Sequence, residues 1–216
     1  MIFAIDPAHP CRVNSSGGIF QARFGESHMV KRYSHVIGFD DAPFERAHRG
    51  DVMIVGAVFA GMRLEGVLSG KVRRDGANAT RVLIDLVRHS RFGAHVQAIL
   101  LQGIAFAGFN VVDVNALHRT LKIPVLVVAR RAPNLAAIRS ALLHKVRGGR
   151  RKWALIEQLG PMEAVQGVYV QRAGITLDKA ADLIRRLALH STLPEPLRTA
   201  HLIAGGVTQG ESRHRA

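Results

Sequence analysis

The sequence is poor in cysteine and in acidic residues, and it has no long hydrophobic run. Cys11 is the single cysteine among 216 residues, which excludes an internal disulfide and any zinc site built from several cysteines. No apolar run approaches the roughly 18 residues that a membrane-spanning helix needs. The first residues lack the basic region and long apolar core of a secretory signal. These absences predict a cytoplasmic protein without a membrane segment.

The scarcity of acidic residues leaves a large positive charge. There are 16 Asp and Glu against 30 Lys and Arg, which gives a formal net charge of +14. Such an excess favours polyanionic partners, above all DNA or RNA, because binding releases condensed counterions. The alternative is an arginine-biased genome, since 24 of the 30 cations are arginine. The composition therefore predicts a nucleic acid partner, and it does not define the oligomeric state.

What the sequence does have is the composition of a folded α/β domain. Hydrophobic residues make up 48% of the chain, and 21 glycines suit a compact protein with many turns. Residues 1–30 contain Pro7, Pro10 and the stretch "NSSGG" without sustained periodicity, so we expect a mobile N-terminal extension there. The domain itself is expected to span 31–207, followed by a basic tail over 208–216.

Three β-rich segments open the domain, and alternating helices and strands follow them. The short connections between the first three segments predict antiparallel hairpins. The later strands are apolar on both faces and joined by helices, so they should be parallel and central. The predicted strands are 35–41, 51–60, 63–72, 95–101, 124–129 and 167–171, and the predicted helices are 78–93, 110–121, 133–146, 176–190 and 194–207.

This order predicts an α/β fold with a ribonuclease-H-like mixed five-stranded sheet. An antiparallel meander comes first, parallel strands follow, helices flank the sheet, and an extra strand and helices lie at the C-terminus. A fold of this kind places its catalytic carboxylates at the ends of the first and fourth strands. Asp40 and Gln102 stand at those positions here.

Three aspartates are candidates for the catalytic carboxylates. Asp40 and Asp41 end the first strand, and only one of two adjacent strand residues can face a site on one side of the sheet. Asp75 opens a turn in "RRDGANAT", and Asp113 follows the glycine-rich loop. Hydrolysis assisted by Mg²⁺ needs two or three converging carboxylates. The alternative for each aspartate is a role in a turn or at a helix start.

Cations and one aromatic residue are candidates for substrate contacts. Arg130 and Arg131 follow the fifth strand, where a phosphate oxygen could be bound, although a surface arginine pair is the alternative. The run "RGGRRKW" (147–153) combines four cations with Trp153, the only tryptophan. That combination is typical of phosphate contact with base stacking, or else of a solvated linker. The histidines show no HxxxH or HExxH spacing, so zinc is not expected.

Several of these stretches together resemble a family of proteins related to endonuclease V. The stretches are "VIGFDD", "RRDGANAT", "LLQGIAFAGFNVVD", "IPVLVVARR" and "LPEPLRTAHLIA". The resemblance covers roughly residues 33–213. It implies the fold already predicted and an enzyme that uses Mg²⁺, or Mn²⁺ in its place, to cut a nucleic acid strand near inosine.

The resemblance also implies roles for individual residues. Asp40 matches the first-strand metal ligand, and Asp75 lies near the position of a glutamate ligand. Arg130 stands where endonuclease V has a phosphate-contacting lysine, and Gln102 stands where it has the fourth-strand aspartate. We therefore expect Asp40, Asp75 and Asp113 to be catalytic, with Asp40 and Asp75 as metal ligands. Substrate contacts are expected from Arg130, Arg131, Gln102 and Trp153.

Gln102 leaves three hypotheses for the function. An amide can offer a neutral oxygen to Mg²⁺ but adds no charge, so metal binding and water activation should both weaken. The chain is then a divergent metal-dependent nuclease, a nucleic-acid-binding module that has lost hydrolysis, or a regulatory scaffold. Fold alone does not choose among them.

Overall fold

A computed structural model describes residues 33–212 of the chain. The predicted N-terminal extension and the last residues of the predicted tail, 213–216, lie outside the described residues. The strands are β1 (His35–Asp41), β2 (Asp51–Ala60), β3 (Arg63–Arg73), β4 (Ala98–Gln102), β5 (Ala105–Phe106), β6 (Asn110–Val111), β7 (Val125–Ala129), β8 (Glu163–Val165) and β9 (Val168–Ala173). The helices are α1 (Ala79–Arg88), α2 (Val114–Leu121), α3 (Leu135–Lys145), α4 (Gly149–Leu159), α5 (Leu177–Leu187) and α6 (Glu195–Gln209).

Seven of these strands form one mixed sheet in the order β3-β2-β1-β4-β7-β9-β8. Strands β1, β2 and β3 are the antiparallel meander, and β4 and β7 run parallel to β1. Strand β9 pairs antiparallel to β7, and the short β8 closes this edge. The predicted five-stranded arrangement and the extra C-terminal strand are confirmed. Strand β8, which is only three residues long, was not predicted.

Several predicted boundaries differ from those of the structure. The helix predicted over 78–93 ends at Arg88, and the strand predicted over 95–101 begins at Ala98. The helix predicted over 110–121 starts at Val114, because Asn110 and Val111 pair with Ala105 and Phe106 in a small hairpin. No helix was predicted for the basic run 147–153, whereas α4 begins at Gly149. A side chain at that glycine would meet the Leu142 carbonyl of α3, so glycine permits the tight turn between the two helices. The predicted tail from 208 begins within the last turn of α6.

The two faces of the sheet carry different helices. Ile37, Phe39, Ile99 and Leu101 point to the face covered by α1 and α2. The alternate residues of β1 and β4 point to the opposite face, together with two residues of β7. Helices α5 and α6 cover this face. The strand residues are Val36, Leu100, Leu126 and Val128, and the helix residues packed on them are Leu183, Ile184 and Leu197. We refer to this second side as the α6 face. Alternation along a strand therefore assigns each side chain at a strand end to one face or the other.

Helix α6 approaches β1 at Gly38. A Cβ atom on Gly38 would lie 2.4 Å from the carbonyl carbon of Pro196. This is backbone against backbone, so no side-chain rotation can relieve the contact. The glycine thus determines how closely α6 lies against the strand that ends in Asp40.

Replacing Gly38 with alanine is expected to destabilise the protein by about 1–3 kcal/mol or more, because α6 must move away from β1. The measurement is the midpoint of urea unfolding. Gly206→Ala on α6 is the matched control, since its nearest neighbour would be 3.7 Å from the new Cβ, and a helical Gly→Ala change is neutral or stabilising. An unchanged midpoint for Gly38→Ala would contradict the close approach.

Candidate functional site

The ends of three neighbouring parallel strands bring Asp40, Gln102 and Arg130 to one edge of the sheet. Phe39 pairs with Leu101, so Asp40 and Gln102 are the next residues along β1 and β4. Gln102 pairs in turn with Val128, two residues before Arg130. Asp40 and Gln102 both lie on the α6 face, by alternation from Val36 and Leu100. The structure thus places Gln102 beside Asp40, as the sequence predicted.

Asp40 is a buried carboxylate with defined partners. Only 4% of the residue is exposed, and its Oδ1 accepts the N–H of Asp41 at 2.9 Å. Its Oδ2 lies 2.8 Å from Nδ1 of His201. Burial raises the pKa of Asp40, while the hydrogen bond and charge of His201 and the charge of Arg130 oppose that shift. The carboxylate is therefore oriented before any ligand arrives.

His201 is a candidate site residue that the sequence analysis did not identify. It lies on α6 and is partly buried, and its hydrogen bond to Asp40 is the main cause of its raised pKa. No spacing motif marks His201, because its partner Asp40 is 161 residues away in sequence. A signal was present, since His201 interrupts the buried stripe formed by Leu197, Ala200 and Ala204. Histidine within the apolar stripe of a helix needs a polar partner.

Arg130 and Arg131 follow β7 and are both exposed. The pKa values of Asp40 and His201 are both raised overall, and the positive charge of Arg130 opposes each of these shifts. Arg130 is therefore close enough to this pair to act on it electrostatically. A guanidinium in this position can bind a phosphate oxygen brought to the strand ends.

Asp41 faces the other side of the sheet. Its Oδ2 accepts the N–H of Ala107 at 2.7 Å, and Ala107 belongs to the core on the α1 side. Burial, followed by the nearby charge of Asp40, raises the pKa of Asp41 to about 6. Asp41 therefore fixes the turn between β5 and β6, whereas Asp40 faces α6.

The pKa of Asp41 predicts how stability depends on pH in metal-free buffer. The folded protein holds this proton more tightly than the unfolded chain, so stability falls as the pH rises from about 4 to about 6. Asp41→Asn removes this pH-dependent contribution to the free energy of unfolding, which amounts to roughly 1–3 kcal/mol. We expect the variant to gain stability relative to the parent protein between about pH 4 and pH 7. Urea unfolding at several pH values measures this, and a constant difference would contradict it.

Asp75 binds the same β5–β6 turn that Asp41 binds. Its backbone φ is +52°, a left-handed conformation, and its Oδ1 accepts the N–H of Phe109 at 2.8 Å. Its own N–H donates to the Ala107 carbonyl at 2.9 Å, and Lys152 Nζ donates to its carbonyl oxygen at 2.6 Å. The expected pairing of Asp40 with Asp75 is thus not formed, because the two carboxylates serve different faces.

Asp113 and Trp153 also lie away from Asp40. The Asp113 carboxylate caps α2 by accepting the N–H of Ala116 at 2.8 Å, on the sheet face opposite α6. Trp153 is partly buried on α4, where it packs against Leu142 and Ile156. The indole is therefore part of an apolar cluster and does not form an open stacking surface. Asp113 therefore has the helix-start role that the sequence left open, whereas Trp153 lies neither on a stacking surface nor in a solvated linker.

An apolar cavity of about 250 Å³ lies beside the strand ends, between the sheet and the α3–α4 hairpin. Gly103 and Ala129, which line it, are the chain neighbours of Gln102 and Arg130. The side chains around the cavity are apolar except for one amide, that of Gln171. The cavity therefore lies by the ends of β4 and β7 but on the sheet face opposite Asp40 and Gln102, because Val127 and Ala129 alternate with Val128 and Arg130.

Within residues 33–212, no three His, Cys, Asp or Glu side chains are grouped as a metal-binding cluster. No helix in this described part of the chain is long and apolar enough to cross a membrane.

The mixed sheet, with an acidic residue ending its first strand and helices on both faces, defines an α/β protein of the ribonuclease-H-like class. Residues 32–208 match the family model described as Endonuclease dU. The chain belongs to this family, which is structurally related to endonuclease V, and the predicted resemblance is confirmed.

Individual relatives agree with this assignment. A UPF0215 protein of Deinococcus radiodurans is 60% identical over 181 residues, which cover 84% of this chain and 92% of that protein. A crystal structure of a protein of unknown function from Archaeoglobus fulgidus has a TM-score of 0.75 at 34% identity, covering 80% of this chain and 97% of that one. Endonuclease V from Bacillus subtilis shares the fold at a TM-score of 0.51 and 14% identity, covering 82% and 81% of the two chains.

Proposed function

We propose that the protein cuts a nucleic acid strand next to a deaminated base, with assistance from a divalent metal ion. The observation that carries this proposal is the placement of Asp40, Gln102 and Arg130 at neighbouring strand ends, with His201 hydrogen-bonded to Asp40. A carboxylate, an imidazole and a guanidinium at one edge suit a phosphodiester better than a neutral substrate. Deoxyuridine is the first candidate, because the family model is described as Endonuclease dU.

The charge around this edge supports a polyanionic substrate. Residues 130–160 contain eight Lys or Arg and a single acidic residue, Glu157. Arg139, Lys145, Arg147, Arg150 and Arg151 are exposed on the α3–α4 hairpin and the turn within it. A strand whose phosphates lie along this surface would reach Arg130 at the strand ends. Such contacts predict binding that weakens steeply as salt increases.

A divalent ion fits the chemistry of this edge. Asp40 supplies one carboxylate, and Gln102 Oε1 is buried without a hydrogen-bond partner. Mg²⁺ in nucleases and polymerases is commonly held by one or two carboxylates together with substrate phosphates. When bound, the ion would polarise the phosphate and lower the pKa of an attacking water. Asp40 and Gln102 are the residues that would hold it.

The protein's own groups have separate tasks in this proposal. Arg130 binds and orients a phosphate oxygen. His201 holds its proton to a higher pH than a free imidazole because Asp40 accepts from Nδ1. The ring keeps the Asp40 carboxylate in one orientation through the Nδ1 hydrogen bond, and when protonated it adds positive charge near the phosphate. Both effects favour the more negative transition state of hydrolysis.

The test is a cleavage assay on labelled single- and double-stranded oligonucleotides. Each carries deoxyuridine, deoxyinosine or an unmodified base at one position, and Mg²⁺, Mn²⁺ or EDTA is present. We expect metal-dependent cutting near the deaminated base and none in EDTA. Intact strands under every metal condition would contradict the proposal.

Gln102 favours a second candidate, a nucleic-acid-binding module without hydrolysis. One carboxylate fewer beside Asp40 lowers metal affinity, while the basic hairpin is unaffected. The same oligonucleotides distinguish the two functions. Salt-dependent binding without cutting in Mg²⁺ or Mn²⁺ would identify the binding module.

A further inference from the structure

Gln171 is the polar side chain in the wall of the apolar cavity between the sheet and the α3–α4 hairpin. It lies on β9 opposite Val127, and only 4% of the residue is exposed. The other lining side chains that the structure describes are hydrocarbon, aromatic or thioether groups. A single amide in such a wall determines which polar group a ligand can place there, because an unmatched polar contact is costly.

The orientation of this amide follows from its partner. Gln171 Nε2 donates to the carbonyl oxygen of Gly160, just beyond α4. A carbonyl can only accept, so the nitrogen must occupy this position and the amide cannot flip. The Oε1 atom is then the end of the side chain that is left to accept a hydrogen bond from a ligand. The cavity therefore offers one acceptor within otherwise apolar surroundings.

We infer that Gln171 is the residue that distinguishes a deaminated base from its parent, by accepting a hydrogen bond from a ring N–H of a base placed in the cavity. This inference rests on the proposed function. Deamination of cytosine to uracil converts the bare N3 into N3–H, and deamination of adenine to hypoxanthine converts N1 into N1–H. The ring N–H is the chemical feature that the two products share.

The position of the cavity suits this task. Enzymes that act at single bases take the base out of the stack into a pocket and read its Watson–Crick edge there. Gly103 and Ala129 place the cavity one residue from Gln102 and Arg130 in the chain. The cavity itself opens on the sheet face opposite Asp40, because Val127 and Ala129 alternate with Val128 and Arg130. A nucleotide with its phosphate at the strand ends therefore reaches the pocket by turning its base around the ends of β4 and β7. Ile104 and Phe109 contribute apolar surface against which a base can pack.

Parent bases are excluded by the same acceptor. The bare ring nitrogen of cytosine or adenine would face Gln171 Oε1, so two acceptors would meet without a proton between them. Both would be buried without a partner, which is costly in an apolar site. Sites built around a required hydrogen bond reject analogues that lack the donor much more strongly than apolar pockets reject a change of size.

The experiment measures binding of short single-stranded oligonucleotides in EDTA, so that cleavage is not required. The strands differ at one central position, which is dU, dC or N3-methyl-dU. We expect dU to bind at least about tenfold more tightly than the other two. The N3-methyl strand uses the unaltered protein and removes only the donor of the base. If it bound as tightly as dU, the inference would be overturned.

Gln171→Met supplies the protein side of the test. The variant keeps an unbranched side chain of similar length but removes the acceptor, so the preference for dU over dC should disappear. Gln158→Met, at an exposed position of α4, is the matched control and should keep the preference. If the Gln171 variant retained it, another group must read the base and the inference would be wrong. Thermal unfolding checks that both variants fold. If the Gln171 variant does not fold, the comparison of dU with N3-methyl-dU on the unaltered protein still tests the inference.

Binding to the dC strand separates this inference from the proposed function. Tight, salt-dependent binding of dU and dC alike would overturn the role of Gln171 and leave strand binding intact. Failure to bind any strand in EDTA would overturn the inference, whereas the proposed function is decided by the cleavage assay in Mg²⁺ or Mn²⁺. The same measurement with dI and dA strands shows whether hypoxanthine is also recognised. A preference for dI over dA that disappears in Gln171→Met would extend the role of Gln171 to both deaminated bases.

Discussion

Replacing Asp40 with asparagine is expected to abolish strand cleavage while leaving strand binding nearly unchanged. The substitution keeps the shape of the side chain but removes the charge that a divalent ion requires and that holds the proton on His201. Loss of a residue that only supports a metal ligand costs about 10–100-fold. Loss of the carboxylate that would hold the ion directly should therefore cost at least about a hundredfold in the rate of cutting. Single-turnover cleavage of the deoxyuridine strand measures it.

Asp41→Asn is the matched control for this prediction. It makes the same chemical change one residue further along β1, but its side chain faces Ala107 on the opposite side of the sheet. We expect its cleavage rate to stay close to that of the parent protein. If both variants lost cleavage activity equally, the two substitutions would act by disturbing the structure of β1, and Asp40 would have no separate role in cleavage. Full activity in Asp40→Asn would place the catalytic site elsewhere.

The pattern of the strands predicted the sheet because it depends on local sequence. The bounds of β1 and β2 agree with the segments predicted at 35–41 and 51–60. Alternation and short connections are sufficient to distinguish a meander from parallel strands. Strand β8 and helix α4 were missed for the opposite reason. Three residues are too few to show alternation, and the basic start of α4 gives no apolar signal before Trp153.

The candidate site was predicted in part, and the limit is again physical. Strand order alone placed Gln102 beside Asp40. Alternation also required that only one of Asp40 and Asp41 face the site, but which one depends on where α6 packs. His201 reaches Asp40 only through that packing, which Gly38 permits. Contacts between residues that are distant in sequence cannot be read from spacing.

Asp75 and Asp113 show a second limit of sequence reasoning. A carboxylate next to a glycine or at a helix start can bind a metal or satisfy backbone N–H groups, and the sequence is the same in both cases. In the structure their oxygens accept from Phe109 and Ala116. The local hydrogen bonds that these aspartates form are therefore the ones typical of their turn and cap positions.

Gln102→Asp is expected to strengthen divalent metal binding by about tenfold or more, because a second negative ligand would stand beside Asp40. Without metal the two carboxylates would repel each other, which raises the pKa of the pair and lowers stability at neutral pH. Added Mg²⁺ or Mn²⁺ should then raise the unfolding temperature of the variant more than that of the parent protein. Calorimetric titration gives the affinities.

Gln158→Asp controls for charge alone, since it adds the same negative charge at an exposed position of α4. It should leave metal binding unchanged. A gain in metal affinity in Gln102→Asp together with faster cutting would mean that the glutamine limits a working nuclease site. A gain in affinity without cutting would mean that the remaining groups no longer support hydrolysis, and the binding module would be the better description. No gain at all would contradict the placement of the metal between β1 and β4, because a carboxylate next to Asp40 on the same face must attract a divalent ion held there.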